Sequence, residues 1–205
     1  GVTLTQFRHW YDQAGTPQLV FTGRYDETGS SYTLEVEQSC PATPDQDSKA
    51  PFHIPLSVGL VGSSGQDLPL SLAGEDVSEA TTTKVLDITE RKQSFTFTNI
   101  TEAPIPSLLR DFSAPVKLSI RRDAGELEFL SAKDPNKFNR WDAGQENATV
   151  LLCDLIEQRI AGDTPVVVPS FVASMGATLV DAMLDPALAA EALLLPSEIY
   201  LSEQM

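Results

Sequence analysis

The sequence predicts a chain that is mainly β and then α: an antiparallel two-sheet β-sandwich over residues 18–132, followed by a helical segment over residues 133–205. Apolar and polar residues alternate at period two through the first part, which is typical of strands with one buried face. After residue 132 the apolar residues recur every three or four positions, which is typical of amphipathic helices. At 205 residues and 41% apolar, the chain can form one large or two modest domains with a real core.

A short helix is predicted before the strands. Leu4, Phe7 and Tyr11 share a face at helical spacing, and Gly15 followed by Pro17 gives a stop signal. A helix of this length is not stable in isolation. We therefore expect it to pack on another part of the protein.

Turn-forming residues separate the predicted strands, and seven or eight short strands with close turns are typical of a two-sheet sandwich. The Pro- and Asp-rich connector after the second strand should be an ordered loop, because each Pro fixes its own φ. The connector Pro104-Ile105-Pro106 cannot lie in a central strand. The candidate strands are residues 18–22, 31–39, 53–61, 68–72, 84–89, 94–99, 116–122 and 127–131.

The first long helix is predicted to begin at Asp134-Pro135, because Asp can cap a helix and Pro fits its first turn. It should end near Gly162. Its apolar stripe steps by three and four positions and consists of Phe138, Trp141, Gln145, Ala148, Leu152 and Leu155, widened by Leu151 and Ile156.

Three shorter helices are expected after it. Ser170 begins the second helix, Asp185-Pro186 begins a third that must stop by Pro196, and Ser197 caps a fourth. The second helix carries Val172, Met175, Leu179 and Met183 on one side. Apolar residues near the end of the chain need cover that the sequence does not supply, which implies a missing partner: Leu193, Leu194, Leu195, Ile199 and Leu201.

The composition excludes several classes of function. A net charge of −15 disfavours binding to nucleic acid or to an anionic membrane surface, because phosphates would be repelled. The longest uncharged run, residues 164–180, is shorter than the ~20 residues of a membrane span. Cys40 and Cys153 are the only cysteines, which favours reduced thiols in a cytoplasmic protein, and no signal peptide is visible.

Candidate sites for metal ions are weak. A zinc site at His53 would need Cys40, Asp45 or Asp47 to converge on it, and a structural or exposed histidine is the stronger interpretation. The spacing of the two aspartates suggests calcium, but the pattern stops at Lys49, so turn formation is favoured. A nucleophile elbow is absent, and catalysis by this chain alone is disfavoured.

Several blocks of sequence occur in the order found in one known family. The blocks are residues 6–17, the loop at 38–46 continued by 49–55, and residues 112–118, 139–145 and 185–191. On these blocks the chain resembles bacterial aminopeptidase N, the alanyl aminopeptidases of the zinc-dependent gluzincin class. The resemblance implies the end of the catalytic-domain helix at residues 1–17, an Ig-like sandwich at 18–132 and the first helices of an α-solenoid-like C-terminal domain at 133–205.

The chemical motifs of that family are absent from this chain. Two histidines one helical turn apart, as in His-Glu-x-x-His, would share a zinc ion, but His9 and His53 lie far apart in sequence. The Gly-Ala-Met-Glu-Asn motif is also absent. The resemblance therefore implies a non-catalytic segment with no catalytic or metal-binding residue and no cofactor of its own. It implies a parent that removes N-terminal residues from peptides, with zinc in its catalytic domain.

Five residues are candidates for packing between domains of the parent: Phe7, Trp10, Arg140, Trp141 and Asp142. Trp and Arg are favoured interface anchors. The alternative is that Trp141 belongs to the core of its own helix, with Arg140 and Asp142 solvated or paired beside it. The expected partners are the parent's catalytic and remaining helical domains. A rival hypothesis is a free-standing Ig-like module that binds another protein.

Overall fold

The structure, a computed structural model, describes residues 4–180 and 186–205. It divides into two units, with the boundary between Arg121 and Arg122. The first unit contains all the strands and the second contains five helices among the described residues, which confirms the predicted order of β and then α. The predicted boundary near residue 132 is wrong, because residues 124–133 form a helix of the second unit.

The first unit is a sandwich of two sheets. Its strands are β1 (Gln18–Asp26), β2 (Ser31–Ser39), β3 (Ile54–Val61), β4 (Lys84–Ile88), β5 (Lys92–Thr98), β6 (Ile105–Leu108) and β7 (Lys117–Ile120). One sheet has the order β5-β2-β1-β7 and the other has the order β4-β3-β6. Every pairing is antiparallel except that of β1 with β7.

Alternation along the strands builds the sandwich core. In β2, every second residue from Tyr32 to Gln38 is buried, and the residues between them are exposed or half-buried. The buried side chains of both sheets join in one apolar cluster, as expected when two inner faces pack together. Its members include Leu19, Phe21, Leu34, Val36, Ile54, Leu56, Val58, Leu86, Ile88 and Phe97. The predicted two-sheet sandwich is therefore confirmed.

One strand prediction in the sandwich was wrong. Residues 68–72 form no strand and make only isolated bridges, Leu70 with Thr81 and Leu72 with Phe97.

The connector that contains Pro106 forms strand β6. This strand lies at the edge of its sheet, which is where a strand tolerates proline. The prediction that this connector cannot lie in a central strand is therefore confirmed.

A second strand prediction, residues 127–131, was also wrong. These residues lie in helix α2 (Ala124–Lys133). The Asp123 carboxylate accepts a hydrogen bond from the Glu126 N–H at 2.8 Å, and the Glu126 carboxylate accepts from the Asp123 N–H at 3.1 Å. This reciprocal capping box starts the helix, and the buried Leu127 and Leu130 follow helical spacing.

The long helix is α3 (Lys137–Ala161), and its predicted start was wrong in detail. Asn136 is the cap, because its side chain accepts from the Asn139 N–H at 3.1 Å. Asp134 instead ends α2, and its carboxylate accepts from the Asn136 N–H at 2.8 Å. The predicted end is confirmed: Gly162 follows the helix at φ 89°, the left-handed conformation that favours glycine.

The remaining helices follow the prediction closely. They are α4 (Pro169–Val180), α5 (Pro186–Ala192) and α6 (Glu198–Gln204). Ser197 caps α6 by accepting from the Tyr200 N–H at 3.2 Å, as predicted. The predicted residues Met183 and Asp185 lie outside the described part of the chain. Within residues 4–180 and 186–205, we find no helix with the length and apolar character that a membrane span requires.

Candidate functional site: interdomain packing residues

The N-terminal segment is attached to the loop that precedes β3 and to the turn between β4 and β5. This segment contains one helical turn, α1 (His9–Asp12). Gln6 Nε2 donates to the carbonyl oxygens of Pro51 (3.2 Å) and Thr89 (2.5 Å), and Trp10 Nε1 donates to the carbonyl oxygen of His53 (2.9 Å). Because these acceptors are backbone atoms, the attachment depends on the path of the loop as much as on its sequence.

Trp10 packs on the sandwich core in this structure. Its ring centroid lies 4.8 Å from that of Phe52, which is 1% exposed. The apolar body of the indole is therefore covered and its N–H is satisfied, the usual arrangement for a partly buried tryptophan. The sequence analysis named both Trp10 and Phe7 as candidates for packing between domains, and the structure puts the two side chains in different environments.

Phe7 lies on an outward face of the same segment. Leu4, Phe7 and Tyr11 are 66%, 41% and 82% exposed. The rings of Phe7 and Tyr11 meet edge-on, with centroids 6.2 Å apart. The predicted helical face thus exists as an apolar surface, while Gln6 and Trp10 form the attached side.

Sequence reasoning missed Lys49 as the second attachment of this segment. The residue is 5% exposed. Its ammonium group donates to the Ala14 carbonyl oxygen (2.6 Å), Thr43 Oγ1 (2.6 Å) and Gln46 Oε1 (2.8 Å). All three acceptors are neutral, and together they use the three donors that a lysine carries. A lysine in a polar loop gives no sequence signal for such burial.

The histidines make structural contacts. His9 Nδ1 lies 2.8 Å from the Pro51 carbonyl oxygen, and His53 Nε2 lies 2.8 Å from Asp87 Oδ1. Cys40 Sγ contacts the Ala14 carbonyl oxygen at 3.7 Å, and Asp45 occupies a turn at φ 64°. Over residues 4–180 and 186–205, no three His, Cys, Asp or Glu side chains converge to hold a metal ion. The residues present therefore do not fit the zinc site that the family resemblance implies for the parent.

In the helical unit, Arg140, Trp141 and Asp142 follow one another in the second turn of α3. Trp141 is half-buried, with its ring centroid 5.7 Å from that of Phe138. Arg140 is also half-buried. The tryptophan therefore packs partly within its own unit, as the alternative interpretation expects.

Asp142 and Glu146 stand one helical turn apart beside Arg122. Asp142 as a whole is more than a third exposed, but protein atoms crowd its carboxyl group and desolvate it. This desolvation raises the pKa of Asp142 above its ordinary value of 3.8, against an opposing effect of Arg122. Desolvation also raises the pKa of Glu146, and the neighbouring Asp142 adds to that rise.

This pair should make the stability of the helical unit fall as pH rises. A carboxyl group whose pKa is raised by folding binds more protons in the folded state, so its stabilising contribution is present below its unfolded pKa and lost as pH rises through its folded pKa. We expect the Asp142→Asn variant to become more stable relative to the natural chain as the pH rises from 4 to 7. Urea unfolding at several pH values measures the difference in unfolding free energy between the two proteins. A difference that stays constant or shrinks as the pH rises contradicts the prediction.

The sandwich contains a buried ion pair that the sequence did not indicate. Arg110 is 2% exposed, and its guanidinium NH1 and NH2 groups donate to the two carboxylate oxygens of Asp67 at 2.9 and 2.5 Å. Its Nε donates to Ser107 Oγ (2.9 Å), and NH1 also reaches Thr83 Oγ1 (2.8 Å) and the Thr82 carbonyl oxygen (3.4 Å). A charge buried this completely is tolerated only with such a full set of partners.

The backbone around Arg110 is strained. Leu109, Asp111 and Phe112 have φ values of 59°, 55° and 53°, in the left-handed region that non-glycine residues rarely occupy. Each such residue costs of order 1–3 kcal/mol. The strained residues lie on both sides of the buried Arg110 in sequence, and the Phe112 side chain is exposed.

Comparison with known proteins agrees with the two-unit structure. Residues 15–121 match the family described as "Domain of unknown function (DUF3458) Ig-like fold". Residues 124–205 match "Domain of unknown function (DUF3458_C) ARM repeats". The match to the first family begins and ends close to the limits of the sandwich, and the second begins with α2.

The similar proteins are aminopeptidases several times longer than this chain. Aminopeptidase N of Escherichia coli (strain K12) is 40% identical over 98% of this chain and 23% of that protein. Aminopeptidase N of Haemophilus influenzae is 46% identical over 69% of this chain and 16% of that protein. The crystal structure of Legionella pneumophila aminopeptidase A in complex with aspartic acid superimposes with a TM-score of 0.77, at 29% identity, over 98% of this chain and 21% of that one.

The chain thus spans about a fifth of the length of these relatives. The predicted resemblance is confirmed, and the matching part includes both units. The chain therefore belongs to the DUF3458 family and corresponds to the Ig-like and ARM-repeat region of bacterial aminopeptidase N.

Proposed function

We propose that this chain is a non-catalytic structural segment of a longer, zinc-dependent aminopeptidase that removes N-terminal residues from peptides. The observation that carries the proposal is the match along 98% of the chain to an aminopeptidase N of which the chain spans only 23%. The residues that would hold zinc and activate water belong, on this proposal, to the parent's catalytic domain.

The segment spaces the catalytic domain from the helical domain. A sandwich with a continuous apolar core suits this role, because a close-packed interior resists deformation. The helical unit, matched to ARM repeats, begins an array in which each repeat covers its neighbour. In the parent, that array encloses the chamber in which peptides are bound and limits entry to small, unfolded peptides. The parent acts in the cytoplasm, where Cys40 and Cys153 persist as the free thiols seen here.

The exposed apolar faces of the helical unit favour this function over a free-standing protein-binding module. A self-contained module is expected to cover such faces within its own chain. Val172 and Leu179 of α4 and Ile199 of α6 are instead 60%, 69% and 76% exposed. Exposed apolar residues in this number mark an interaction surface, and we assign it to further helices of the parent.

The complete reading frame tests the proposal. We expect it to encode His-Glu-x-x-His upstream of residue 1 and additional amphipathic helices downstream of residue 205. A start codon at residue 1 together with a stop codon after Met205 would contradict the proposal and favour the free-standing module.

Phe7 and the neighbouring Tyr11 should stabilise the parent more than they stabilise this chain. The double change Phe7→Ser and Tyr11→Ser removes two outward-facing rings, so the isolated 205-residue chain should keep its melting temperature. In the complete parent the same change should lower the melting temperature, because the rings pack on the catalytic domain. Differential scanning calorimetry of both proteins measures this.

Trp10→Ala is the matched control for that experiment. Trp10 packs on Phe52, so its removal should lower the melting temperature of the isolated chain as well. The interdomain role of Phe7 is wrong if the double change affects both proteins equally or affects neither. The roles of Arg140, Trp141 and Asp142 at a second interdomain surface are open to the same comparison of chain and parent.

A further inference from the structure

The N-terminal segment turns one helical side towards the loop that precedes β3. The side chains that make the contact have the spacing i, i+3, i+4 and i+7 of one helix face: Gln6, His9, Trp10 and Gln13. Each lies within hydrogen-bond distance of a backbone carbonyl oxygen of the loop. Gln13 is bonded twice, because its Oε1 also accepts from the Ala50 N–H at 2.6 Å. The inner side of the segment is thus defined by direct contacts.

Side chains of the loop bond the segment in return. Gln46 Oε1 accepts from the Ala14 N–H at 2.8 Å, and Gln46 Nε2 donates to the Asp12 carbonyl oxygen at 2.7 Å. The buried Lys49 ammonium donates to both the Ala14 carbonyl oxygen and Gln46 Oε1, so it joins the segment to the glutamine. The end of the segment is therefore bonded to the loop through both backbone donors and backbone acceptors.

The loop is itself fixed to the core of the sandwich. Gln38 of β2 is 4% exposed, and its side chain donates to the Phe52 carbonyl oxygen (3.1 Å) and accepts from the Phe52 N–H (2.8 Å). The Phe52 ring belongs to the apolar core. Arg91 donates to the Lys49 carbonyl oxygen at 2.5 Å. Buried polar networks of this kind make a structure rigid, so the segment is bonded to a fixed support.

The segment cannot hold its shape without that support. Its helix α1 has 4 residues, and isolated helices shorter than about 12–15 residues are marginal in water. The bonds on its inner side therefore keep its outer side in order. That outer side consists of Leu4, Phe7 and Tyr11, which are exposed. A surface that is already ordered binds a partner more tightly, because less conformational freedom is lost on association.

We propose that the sandwich holds the N-terminal segment as a preformed docking element, with Leu4, Phe7 and Tyr11 in place before the parent's catalytic domain packs on them. Gln46 and Lys49 set the position of this element. The identity of the occupant rests on the function proposed above, whereas the preformed shape does not. The Ig-like match begins at residue 15, so the segment directly precedes the sandwich, on the side where that function places the catalytic domain.

Hydrogen exchange of the 205-residue chain tests whether the docking element is preformed. The amides of residues 10–13 donate within the segment, and we expect them to be protected in the natural chain. Lys49→Met should speed their exchange about tenfold or more, because it removes charged hydrogen bonds, while the amides of β2 change little. Gln46→Glu should act in the same direction, since a carboxylate cannot donate to the Asp12 carbonyl oxygen.

Lys84→Met is the matched control for these variants. Lys84 is paired with Glu75, so its replacement should leave exchange in the segment unchanged. Exchange of residues 10–13 at the rate of an unfolded peptide in the natural chain overturns the proposal. It is also overturned if, in both the Lys49 and Gln46 variants, exchange in the segment rises no more than exchange in β2.

Hydroxyl-radical footprinting of the chain and of the complete parent identifies what covers the outer side. Tyr11 is 82% exposed, so it should be oxidised readily in the chain and lose most of that oxidation in the parent. Trp10, which packs on Phe52, should react equally in both proteins. Equal oxidation of Tyr11 in the two proteins overturns the docking role, even where the reading frame confirms an aminopeptidase. A failure of this proposal is therefore distinguishable from a failure of the proposed function.

Discussion

Gly59→Ala is expected to destabilise the sandwich unit by about 3–5 kcal/mol, the cost of breaking a buried ion pair. A Cβ atom at this position of β3 would lie 2.0 Å from Arg110 Cζ and 2.2 and 2.4 Å from its two terminal nitrogens. The guanidinium group resists displacement, because each of its three nitrogens donates to a surrounding oxygen. The added methyl group must therefore displace Arg110 or the strand itself.

Tryptophan fluorescence during urea unfolding measures the loss of unfolding free energy in the sandwich unit. The chain has two tryptophans, Trp10 in the sandwich unit and Trp141 in the helical unit, so a Trp141→Phe background reports the sandwich alone. Gly176→Ala in α4 is the matched control, since its Cβ would meet nothing within 4 Å and alanine favours a helix. A loss below 1 kcal/mol for Gly59→Ala would show that the Arg110 site is loosely packed.

Asp67→Ala is expected to cost a similar amount, about 3–5 kcal/mol, because it leaves the buried Arg110 charge without its carboxylate. Arg110 is 2% exposed and Asp67 is 14% exposed on their side chains, so water cannot replace the missing partner. The strained backbone at Leu109 and Phe112 should then relax. Hydrogen exchange of the amides from 109 to 113 should accelerate more than that of β2.

The exposed ion pair between Lys92 and Glu37 provides the control. Their charged atoms are 3.0 Å apart, but the side chains are 76% and 58% exposed. Such pairs contribute about 0–1 kcal/mol, so Glu37→Ala should have little effect on unfolding. If Asp67→Ala and Glu37→Ala cost the same, burial of the Arg110 pair does not determine its contribution.

Elements with a clear period were predictable from the sequence. Strands β1 to β5 follow from alternation, and α3 follows from its apolar stripe and from Gly162. The error at residues 127–131 arose because Leu127 and Phe129 alternate over too short a stretch to separate a strand from a helix. The Asp123-x-x-Glu126 capping box was present and was the stronger signal.

The candidate site was less predictable, because burial depends on contacts that are distant in sequence. Trp10 and Phe7 are both aromatic residues of one short segment, yet only the loop carrying Phe52 decides which ring is covered. Asp67 and Arg110 are 43 positions apart, and neither lies in a recognisable motif. Likewise, Lys49 and Asn147 are ordinary polar residues in sequence, and only the folded chain shows that they are buried.

The most direct test of the proposed structural role uses the purified 205-residue chain beside the complete parent. Zinc content by atomic absorption and hydrolysis of an alanine-linked chromogenic substrate are measured on both, each with and without a chelator. We predict stoichiometric zinc and chelator-sensitive hydrolysis in the parent, and neither in the chain. Chelator-sensitive hydrolysis by the chain itself would contradict the view that residues 1–205 are architecture for chemistry carried out elsewhere.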